Sequence, residues 1–389
     1  MKVPLLDLKP QYHSLKKELD EAVLRVAESQ YFILGPEVEK MEKEFCDYLH
    51  CKHAIGVSSG TDALLLALMA INIGPGDEVI VPTYSFFATA GVVSRLNATP
   101  VLTDIDPITF NIDPEEVKKK ITKRTKAIMP VHLYGQSAEM DPIMKIAKEN
   151  NIKVIEDAAQ AIGTQYKDGK CVGTIGDIGC FSFFPSKNLG GYGDGGLVTT
   201  DNDDLAYMLR IKRVHGGEQK YYHKVIGGNF RIDALQASVL RVKLPHLDKW
   251  SEKRRANAEY YYELFKKAGL AEEHGKTKFD DKNMVLLPQP VNKGNTGVKN
   301  YHIYNQFIIR AQKRDELKKF LTENEIGNEI YYPVPFHMQE CFANLNHKVG
   351  NFPESEKASN TSLAIPIYPE LTKEQQEYVV QKMKEFIQG

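Results

Sequence analysis

Short apolar segments alternate with helix-length amphipathic segments through the first half of the chain, and this alternation is what most limits its fold. Strand-like segments cover residues 53–57, 77–81, 99–104, 125–131 and 152–157. Helical patterns lie in SSGTDALLLALMAI, in PTYSFFATAGVVSRL, and over residues 114–120 and 140–150. Strands separated by helices of this length predict parallel βαβ units with right-handed crossovers. Ligands of such sheets bind beyond the carboxyl ends of the strands.

Further helices and one more strand are predicted outside this region. Helical patterns cover residues 11–28, 36–49, 203–213, 233–243, 247–268 and 315–325, and Thr372 is placed to cap a last helix that ends at residue 387. Residues 301–310 predict a strand and residues 272–300 a loop. We therefore expect a large α/β domain over residues 1–245 and a smaller α/β domain over residues 246–389, which begins with a long linking helix.

The composition argues against several classes of protein. The 389 residues are 42% hydrophobic and 26% charged with a formal net charge of −1, so nucleic-acid binding through bulk charge is not expected. No apolar run is long enough to span a bilayer, and the first residues lack the core of a signal peptide. The five cysteines form no CxxC pair and no metal-ligand spacing with histidine. A cytoplasmic protein without a metal site is the expectation.

One lysine, Lys187, stands in the stretch IGCFSFFPSKNLGGYGDGG at residues 178–196, after aromatic residues and before five glycines. A lysine among aromatic side chains is poorly solvated, which lowers the pKa of its amine towards the range of a nucleophile. Glycines on the other side allow a close approach of the backbone to a ligand. The alternative is a surface lysine in a glycine-rich loop.

A carboxylate, Asp157, ends the predicted strand VIED at the ligand-facing edge of the sheet. Such a carboxylate could bind a protonated pyridine nitrogen and keep it cationic, which makes the ring an electron sink. Gln160 is expected about one helical turn further on, near the same face, where its amide could reach the phenolic oxygen of the ring. The alternative is that Asp157 only caps a helix.

An anion site is predicted where SSGTDAL follows the first strand. A helix that starts after serine and glycine exposes backbone N–H groups and the positive end of its dipole. The alternative is an ordinary helix start, with Ser59 or Thr61 as its cap. Ser182, five residues before Lys187, adds a hydroxyl suited to a phosphate. Anion site, pyridinium partner and amine together describe a site for pyridoxal phosphate.

The motifs that carry these residues resemble those of the DegT-type nucleotide-sugar aminotransferases, a branch of the fold type I, aspartate-aminotransferase-like pyridoxal phosphate enzymes. The resemblance runs from PLLDL near the start to YYPVPFHMQ near the end. Its most specific parts are SSGTDAL, PTYSFFATA, VIEDAAQAIG, CFSFFPSKNLGGYGDGG and GGNFRIDALQASVL. It implies an α/β fold with a mostly parallel mixed sheet flanked by helices, and places the cofactor in the large domain.

The resemblance also implies roles for individual residues. Catalysis would rest on Lys187, as the Schiff-base lysine and proton carrier, and on Asp157, as the partner of the pyridine nitrogen. The other expected cofactor contacts are Gln160 at the ring oxygen, Ser182 with the backbone of Gly60 and Thr61 at the phosphate, Phe86 stacked on the ring, and Asn229 from the partner subunit of a homodimer. Taken alone, Phe86 is better explained as a core residue, and only its place in the motif reverses that; Asn229 could be a turn residue.

Substrate contacts are less defined. The segment VHGGEQKYYH could meet a sugar or its diphosphate through His215, Tyr221, Tyr222 and His223, or it could be an exposed loop. Tyr332 and His337 lie in a segment that resembles the family and are further expected substrate contacts, although the resemblance gives them no particular role. His132 lies in another such segment, and no role follows for it.

The implied reaction moves an amino group from L-glutamate to a keto sugar through pyridoxal phosphate and its pyridoxamine form. The expected substrate is a UDP-linked 3-oxo hexose, of the N-acetylglucosamine type or its uronate, destined for lipopolysaccharide or another surface glycan. Alternatives are a C4-keto or dTDP-3-keto sugar, or a non-catalytic regulator on the same fold. Relatives that dehydrate sugars have histidine at the lysine, which Lys187 argues against. SSGTDAL lacks the GxGxxG of a dinucleotide-binding oxidoreductase.

Overall fold

The computed structural model describes residues 1–271 and 284–389. Its strands are β1 His53–Val57, β2 Glu78–Pro82, β3 Thr99–Thr103, β4 Thr125–Ile128, β5 Lys153–Asp157, β6 Ile178–Ser182, β7 Gly196–Thr200, β8 Gly217–Gln219, β9 Tyr222–His223, β10 Phe307–Arg310 and β11 Ser362–Ile365. Its α-helices are α1 Lys9–Ser29, α2 Pro36–Leu49, α3 Gly60–Ala70, α4 Ala88–Arg95, α5 Pro114–Lys120, α6 Met140–Asn150, α7 Asp203–Arg213, α8 Ala234–Lys243, α9 Leu247–Ala268, α10 Arg314–Glu323, α11 Pro353–Thr361 and α12 Lys373–Gln388.

A seven-stranded sheet in the order β1-β7-β6-β5-β4-β2-β3 forms the centre of the molecule. Strands β2 to β6 are parallel to their neighbours, whereas β7 pairs antiparallel with both β6 and β1. The predicted α/β class with a mostly parallel mixed sheet is confirmed. The carboxyl ends of β5 and β6 lie side by side, because Asp157 pairs in register with Cys180. The two chemically important segments therefore end at one edge of the sheet.

Helices cover both faces of this sheet. The apolar helix α3, buried along almost its whole length, packs against α4, α7 and the central strands. Helices α1, α2 and α8 pack together over the other side of β1 and β7, with Phe45 stacked on Phe183. Because α3 is apolar on all sides, other elements have to cover it on all sides. This packing fixes the position of its first turn at the edge of the sheet.

The C-terminal part has a separate cluster of buried apolar residues around a two-stranded sheet of β10 and β11. Helix α9 contributes Tyr261 and Phe265 to this cluster, and α12 contributes Val379 and Met383. Capping explains the ends of both helices: Gly269 ends α9 in the left-handed conformation, and Thr372 and Gln375 form a capping box before α12. The division into domains at residues 245 and 246 stays a prediction.

One predicted element in this part is corrected by the structure. Of the strand predicted over residues 301–310, only Phe307–Arg310 forms a strand, and His302 makes an isolated bridge with Gln136. Tyr304 has a φ of 44°, which interrupts extended backbone, and its ring stacks on His302 instead. Of the loop predicted over residues 272–300, residues 272–283 lie outside the described residues, while residues 284–300 form turns and one isolated bridge at Leu286.

Within residues 1–271 and 284–389, no helix combines the length and the apolar character needed to cross a membrane.

Candidate active site

A cavity of about 490 Å³ opens at the carboxyl edge of the sheet, where β5 and β6 end. The cofactor residues predicted for one subunit all line it: Gly60, Thr61, Phe86, Asp157, Gln160, Ser182 and Lys187. Tyr332, predicted to contact the substrate, lines it as well. Several of these residues are more than a hundred positions apart, so the fold is what brings them together.

Lys187 sits in the loop that joins β6 to β7. The loop is tied at its base, because Phe183 N–H donates to Gly195 at 2.8 Å and Gly191 N–H donates to Phe183 at 2.8 Å. Burial lowers the pKa of Lys187 to about 8, and the charge of Asp157 opposes this only in part. The neutral amine is thus more populated near neutral pH than in an exposed lysine, which suits a nucleophile and proton carrier.

Asp157 is held by two hydrogen bonds at the floor of the cavity. Its Oδ2 accepts from the Thr89 hydroxyl at 2.8 Å, and its Oδ1 accepts from Ala159 N–H at 3.2 Å. Burial raises the pKa of Asp157, against the effect of these two donors and of the Lys187 charge. A cation bound next to it would favour its ionised form. The carboxylate is thus oriented and poorly compensated, which suits the nitrogen of a pyridinium ring.

Glu156, the preceding residue of β5, fixes the strand from the opposite face. Its carboxylate is fully buried and accepts from backbone N–H of Gly173, Ile175 and Gly176 at 2.6–2.7 Å. It also bonds His132 Nε2 at 2.8 Å. Burial acts to raise the pKa of Glu156, but the hydrogen bonds outweigh it and hold the pKa below its usual value. This network rigidifies the strand that presents Asp157.

The tautomer of His132 follows from its two contacts. Its Nδ1 accepts from Ala138 N–H at 3.0 Å, so in the neutral ring the hydrogen is on Nε2 and is donated to Glu156. His132 is completely buried and its own backbone N–H bonds the carbonyl of Asp157 at 3.0 Å. It lies behind the cavity as a structural support for β5.

Helix α3 begins at the cavity wall. Ser59 caps it by accepting from Asp62 N–H at 3.0 Å, so the capping alternative is correct for Ser59, and the helix still points its first turn into the cavity. A Cβ at Gly60 would lie 2.7 Å from the Cβ of Ser182, so only glycine lets α3 approach β6 this closely. The first turn of α3 and the Ser182 side chain thus line the same cavity, an arrangement that suits an anion.

Gln160 reaches the same cavity, although the helical turn predicted after Asp157 is wrong. Residues 158–164 form successive tight turns, closed by bonds from residue 161 to 158 and from 164 to 161. The amide is nevertheless oriented, because Oε1 accepts from Tyr134 N–H at 2.7 Å and Nε2 donates to the Tyr332 hydroxyl at 2.9 Å. Tyr134 has a φ of 60°, a strained conformation that this contact helps to hold.

Phe86 and Tyr332 form an aromatic wall. Phe86 is 56% exposed, so the core alternative does not apply to it, and its ring centroid lies 6.2 Å from that of Tyr332. The Tyr332 hydroxyl already accepts from Gln160, which leaves its own hydrogen free to be donated towards the cavity. Burial raises the pKa of this hydroxyl far above its usual range, so it acts as a neutral donor.

The remaining predicted residues do not line this cavity. His215 and Asn229 are exposed, and Tyr221, Tyr222 and His223 belong to an exposed hairpin formed by β8 and β9. Tyr221 is 81% exposed and Tyr222 is 68% exposed. Within one subunit, these side chains therefore agree with the alternative of an exposed loop. The His337 side chain is buried and bonds Glu356 at 3.0 Å, away from the cavity.

Some residues of the site escaped the sequence analysis. Thr89 stands inside the quoted motif PTYSFFATA, but nothing in the sequence indicates that its hydroxyl reaches a carboxylate on another strand. Ser85, whose hydroxyl lies 3.0 Å from that of Thr89, and Gln306 also line or support the cavity. The position of Tyr134 next to Gln160 depends on an irregular turn, which pattern and periodicity do not predict.

The donor set fits pyridoxal phosphate. The cavity is lined by the first turn of α3 and by Ser182, whose N–H and hydroxyl groups suit a phosphate. It is also lined by the buried carboxylate of Asp157, by Lys187 with its lowered pKa and by the aromatic ring of Phe86. These groups match the phosphate, the pyridine nitrogen, the aldehyde and the face of the ring.

Known proteins support the same conclusion. The DegT/DnrJ/EryC1/StrS aminotransferase family matches residues 13–384. A pleiotropic regulatory protein of Geobacillus stearothermophilus is 50% identical over 99% of both chains. The dTDP-3-amino-3,4,6-trideoxy-α-D-glucose transaminase of Streptomyces venezuelae is 40% identical over 99% of this chain and 96% of its own. The UDP-N-acetyl-3-dehydro-α-D-glucosamine 3-aminotransferase of Acidithiobacillus ferrooxidans is 41% identical over 96% and 95%.

Solved structures agree over the whole length. S. venezuelae DesV in complex with a ketimine intermediate matches with a TM-score of 0.91 and 39% identity, covering 100% of this chain and 99% of its own. NtdA of Bacillus subtilis with bound cofactor PMP matches with a TM-score of 0.88 and 32% identity, covering 100% and 86%. Fold and cavity together define a fold type I pyridoxal-phosphate-dependent transferase. The chain belongs to the DegT/DnrJ/EryC1/StrS aminotransferase family and is a sugar aminotransferase, as the motifs predicted.

Proposed function

We propose that this enzyme transfers the amino group of L-glutamate to the C3 keto group of a UDP-linked hexose of the N-acetylglucosamine type or its uronate. The product would enter lipopolysaccharide or another surface glycan. The observation that carries the transfer is that Lys187 and Asp157 face one cavity, with the amine of lowered pKa and the carboxylate oriented by Thr89. A cytoplasmic location remains a prediction from the composition.

Each end of the site has a separate task. The first turn of α3 and the Ser182 hydroxyl would hold the phosphate of the cofactor. Asp157 would bind the pyridine nitrogen and keep it protonated, and the second amide hydrogen of Gln160 would be available to the ring oxygen. Phe86 would contact the ring. When bound, the cofactor supplies the electron sink that makes an α C–H bond acidic.

Lys187 moves the proton. The Lys187 Nζ, with its pKa lowered to about 8, would accept a proton from the α-carbon of the amino donor and release it again within the same cavity, and it would move the proton in the opposite sense when the keto sugar is bound. Tyr332, which lines the cavity beside Gln160, would donate a hydrogen bond to a bound ligand.

The relatives support amination at C3, but they do not distinguish a UDP-linked from a dTDP-linked sugar. The names of the A. ferrooxidans and S. venezuelae proteins both place nitrogen at C3, on a UDP sugar in one and a dTDP sugar in the other. Their identities of 41% and 40% are nearly equal. The UDP sugar is our working substrate, and a dTDP-3-keto or a C4-keto sugar is the alternative.

A regulatory role is the second candidate function, because the 50% identical relative is named as a pleiotropic regulatory protein. A regulator has no need of an amine whose pKa is lowered beside an oriented carboxylate. Since the chain keeps both, together with the anion site, transamination is favoured. A regulatory effect could still follow from the product of the reaction.

The site is proposed to be completed by a second copy of the chain. Asn229 is exposed and does not line the cavity of its own subunit, so its predicted phosphate contact requires a homodimer. The exposed hairpin with Tyr221 and Tyr222 lies in the same region of sequence and would contact the nucleotide sugar across the interface. His215 and His223 are linked there by a 2.9 Å hydrogen bond.

The test uses the two half-reactions separately. The purified holoenzyme is mixed with L-glutamate, and the absorbance band of the aldehyde form is followed; its loss with release of 2-oxoglutarate supports the amino donor. The aminated enzyme is then given matched UDP- and dTDP-linked 3-keto and 4-keto sugars, with mass detection of the amino sugar. Amination of the UDP-3-keto sugar at the highest kcat/KM supports the proposal. No amination of any sugar would refute it.

A further inference from the structure

Two of the five cysteines, Cys46 and Cys51, lie against each other where α2 ends and the chain enters β1. Helix α2 ends through His50, whose left-handed φ of 57° turns the chain back. The backbone N–H of Cys51 donates to the carbonyl of Cys46 at 3.2 Å, a pattern that brings the side chains of these two positions into contact at helix ends. Their thiols are hydrogen-bonded to each other. The helix end thus forms a pair of thiols.

The main chain around this thiol pair is held in place by contacts between α2 and β1. Glu42, one turn before Cys46 on α2, accepts from the backbone N–H of Gly56 on β1 at 3.0 Å. The Cys46 sulfur lies 3.7 Å from the carbonyl oxygen of Lys52, the residue that follows Cys51. Because the helix and the strand are bonded to each other on both sides of the pair, the two sulfurs stay close together.

The two thiols differ in acidity, and this sets the order in which they react. The hydrogen bond from Cys51 is the main cause that lowers the pKa of Cys46 to about 7. Burial opposes this effect, while the backbone N–H of Ala54 and the charge of Arg210 support it. The same hydrogen bond, together with burial, raises the pKa of Cys51. Cys46 is therefore suited to attack as a thiolate, and Cys51 to react second.

The surroundings of this pair differ from those of the other cysteines. Cys46 and Cys51 are half-buried, so a small reagent can approach them from the surface. Cys171 and Cys180 are buried, and burial raises the pKa of both thiols. Cys341 is exposed. Neither thiol of the pair lines the cavity that contains the active-site lysine, so the pair has no part in amino transfer.

We propose that Cys46 and Cys51 form a thiol–disulfide exchange site, at which a low-molecular-weight disulfide is reduced and the pair is oxidised to an intramolecular disulfide. The Cys46 thiolate attacks one sulfur of the small disulfide, and the other half leaves as a thiolate. The Cys51 thiol then loses its proton and attacks the Cys46 sulfur, which releases the second half. One disulfide bond breaks and one forms, and the protons of both cysteines pass to the two small thiols. An excess of the small thiol reverses these steps and restores the reduced pair.

The test treats the native holoenzyme with glutathione disulfide, blocks the remaining thiols and maps the cysteines by mass spectrometry without reduction. Trypsin releases both members of the pair in one peptide, residues 44–52, and Cys341 in another. We expect peptide 44–52 to lose two hydrogen atoms, as an internal disulfide requires, and to regain them when excess glutathione is added. Cys341 is the control and should keep glutathione as a mixed disulfide. A peptide 44–52 that stays reduced, or that keeps glutathione, would overturn the proposal.

Two serine variants test the order of the steps. Cys51→Ser keeps the attacking thiol but lacks the second one, so glutathione should remain on Cys46 as a mixed disulfide. Cys46→Ser removes the attacking thiolate, and the reaction of Cys51 should be slower by about tenfold or more. Equal rates in C46S and C51S would contradict the assigned roles. The map of the wild-type protein decides the proposal even if one of these variants does not fold.

Discussion

The Thr89 hydroxyl donates to Asp157 Oδ2 across 2.8 Å, although 68 positions separate the two residues. Thr89 is completely buried on α4, so this bond is shielded from water. It is one of only two donors given above that orient the carboxylate before the cofactor binds. How firmly the protein holds its cofactor should therefore depend on a residue that does not touch it.

Thr89→Val removes this donor with little change in shape. We expect the pKa of Asp157 to rise further and cofactor affinity to fall about 10- to 100-fold, since hydrogen bonds to charged groups contribute about 1.5–3 kcal/mol. Titration of the apoprotein with pyridoxal phosphate, followed by fluorescence, measures this. Thr103→Val is the control, because its buried hydroxyl bonds Val81 and lies outside the cavity. Equal affinity in both variants would argue against the role of Thr89.

Lys187→Ala should give a protein without the yellow band of the bound aldehyde form and without transaminase activity. The reason is chemical, since no other amine lines the cavity in the described residues. Lys243→Met is the matched control: burial lowers the pKa of this lysine also to about 8, but it bonds Gly190 and lines a different cavity. Absorbance spectra after reconstitution decide the question, and a band that survives in K187A would contradict it.

The pH dependence of stability in the apoprotein reports on the same lysine. Burial lowers the pKa of Lys187 from 10.5 to about 8, so the folded state binds fewer protons than the unfolded state between these pH values, and stability rises with pH there. Below pH 8 the full penalty of the buried ammonium is present. We expect Lys187→Met to be more stable than wild type at pH 7 and this difference to shrink towards pH 10. Urea denaturation at both pH values measures it, and a constant difference would count against the assignment.

Tyr332→Phe tests the aromatic wall. Removing the hydroxyl takes away the acceptor of the Gln160 amide and a donor towards the cavity, while the ring can still pack against Phe86. A neutral hydrogen bond contributes about 1 kcal/mol, so a decrease of about fivefold or more is expected in the single-turnover rates. Tyr378→Phe, whose hydroxyl bonds Asn324 far from the cavity, should leave these rates unchanged. Identical rates in wild type and Y332F would show that the hydroxyl has no such role.

Shared sites can be tested by mixing two inactive variants. Lys187→Ala and Asn229→Ala are refolded together, so that mixed dimers contain one site with an intact Lys187 from one chain and an intact Asn229 from the other. Activity should return to about a quarter of that of wild type for statistical mixing in a two-fold dimer. If Asn229 acts within its own subunit, the mixture will show only the average of the two separate variants.

Much of the fold follows from local sequence signals. The bounds of α2 and α9 agree with the prediction because proline starts one and Gly269 ends the other, and such signals are local. Strand β7 was not predicted, since GLVTT follows a glycine-rich loop and pairs antiparallel in an otherwise parallel region. The pattern of hydrophobic residues does not show whether a strand runs parallel or antiparallel. That direction depends on the strand with which it pairs.

The site was predictable to the extent that each group belongs to a motif. Lys187, Asp157 and Ser182 could be placed because strand ends and a helix start mark one edge of a parallel sheet. Thr89 could not, because its partner is distant in sequence and the geometry of α4 decides what it faces. The expected helical turn at Gln160 failed for the same reason, since its contact with Tyr134 holds an irregular backbone.

Glu156 and Asp157, neighbours on β5, point to opposite faces, and the Glu156 carboxylate is clamped by four donors. The orientation of Asp157 is therefore fixed by the hydrogen bonds of its neighbour. A few substitutions elsewhere cannot change this orientation, because any rotation of β5 would break the hydrogen bonds to Glu156. If the proposed homodimer brings the exposed hairpin to the sugar, a library that aims at new sugars should vary Tyr221 and Tyr222 and leave β5 intact.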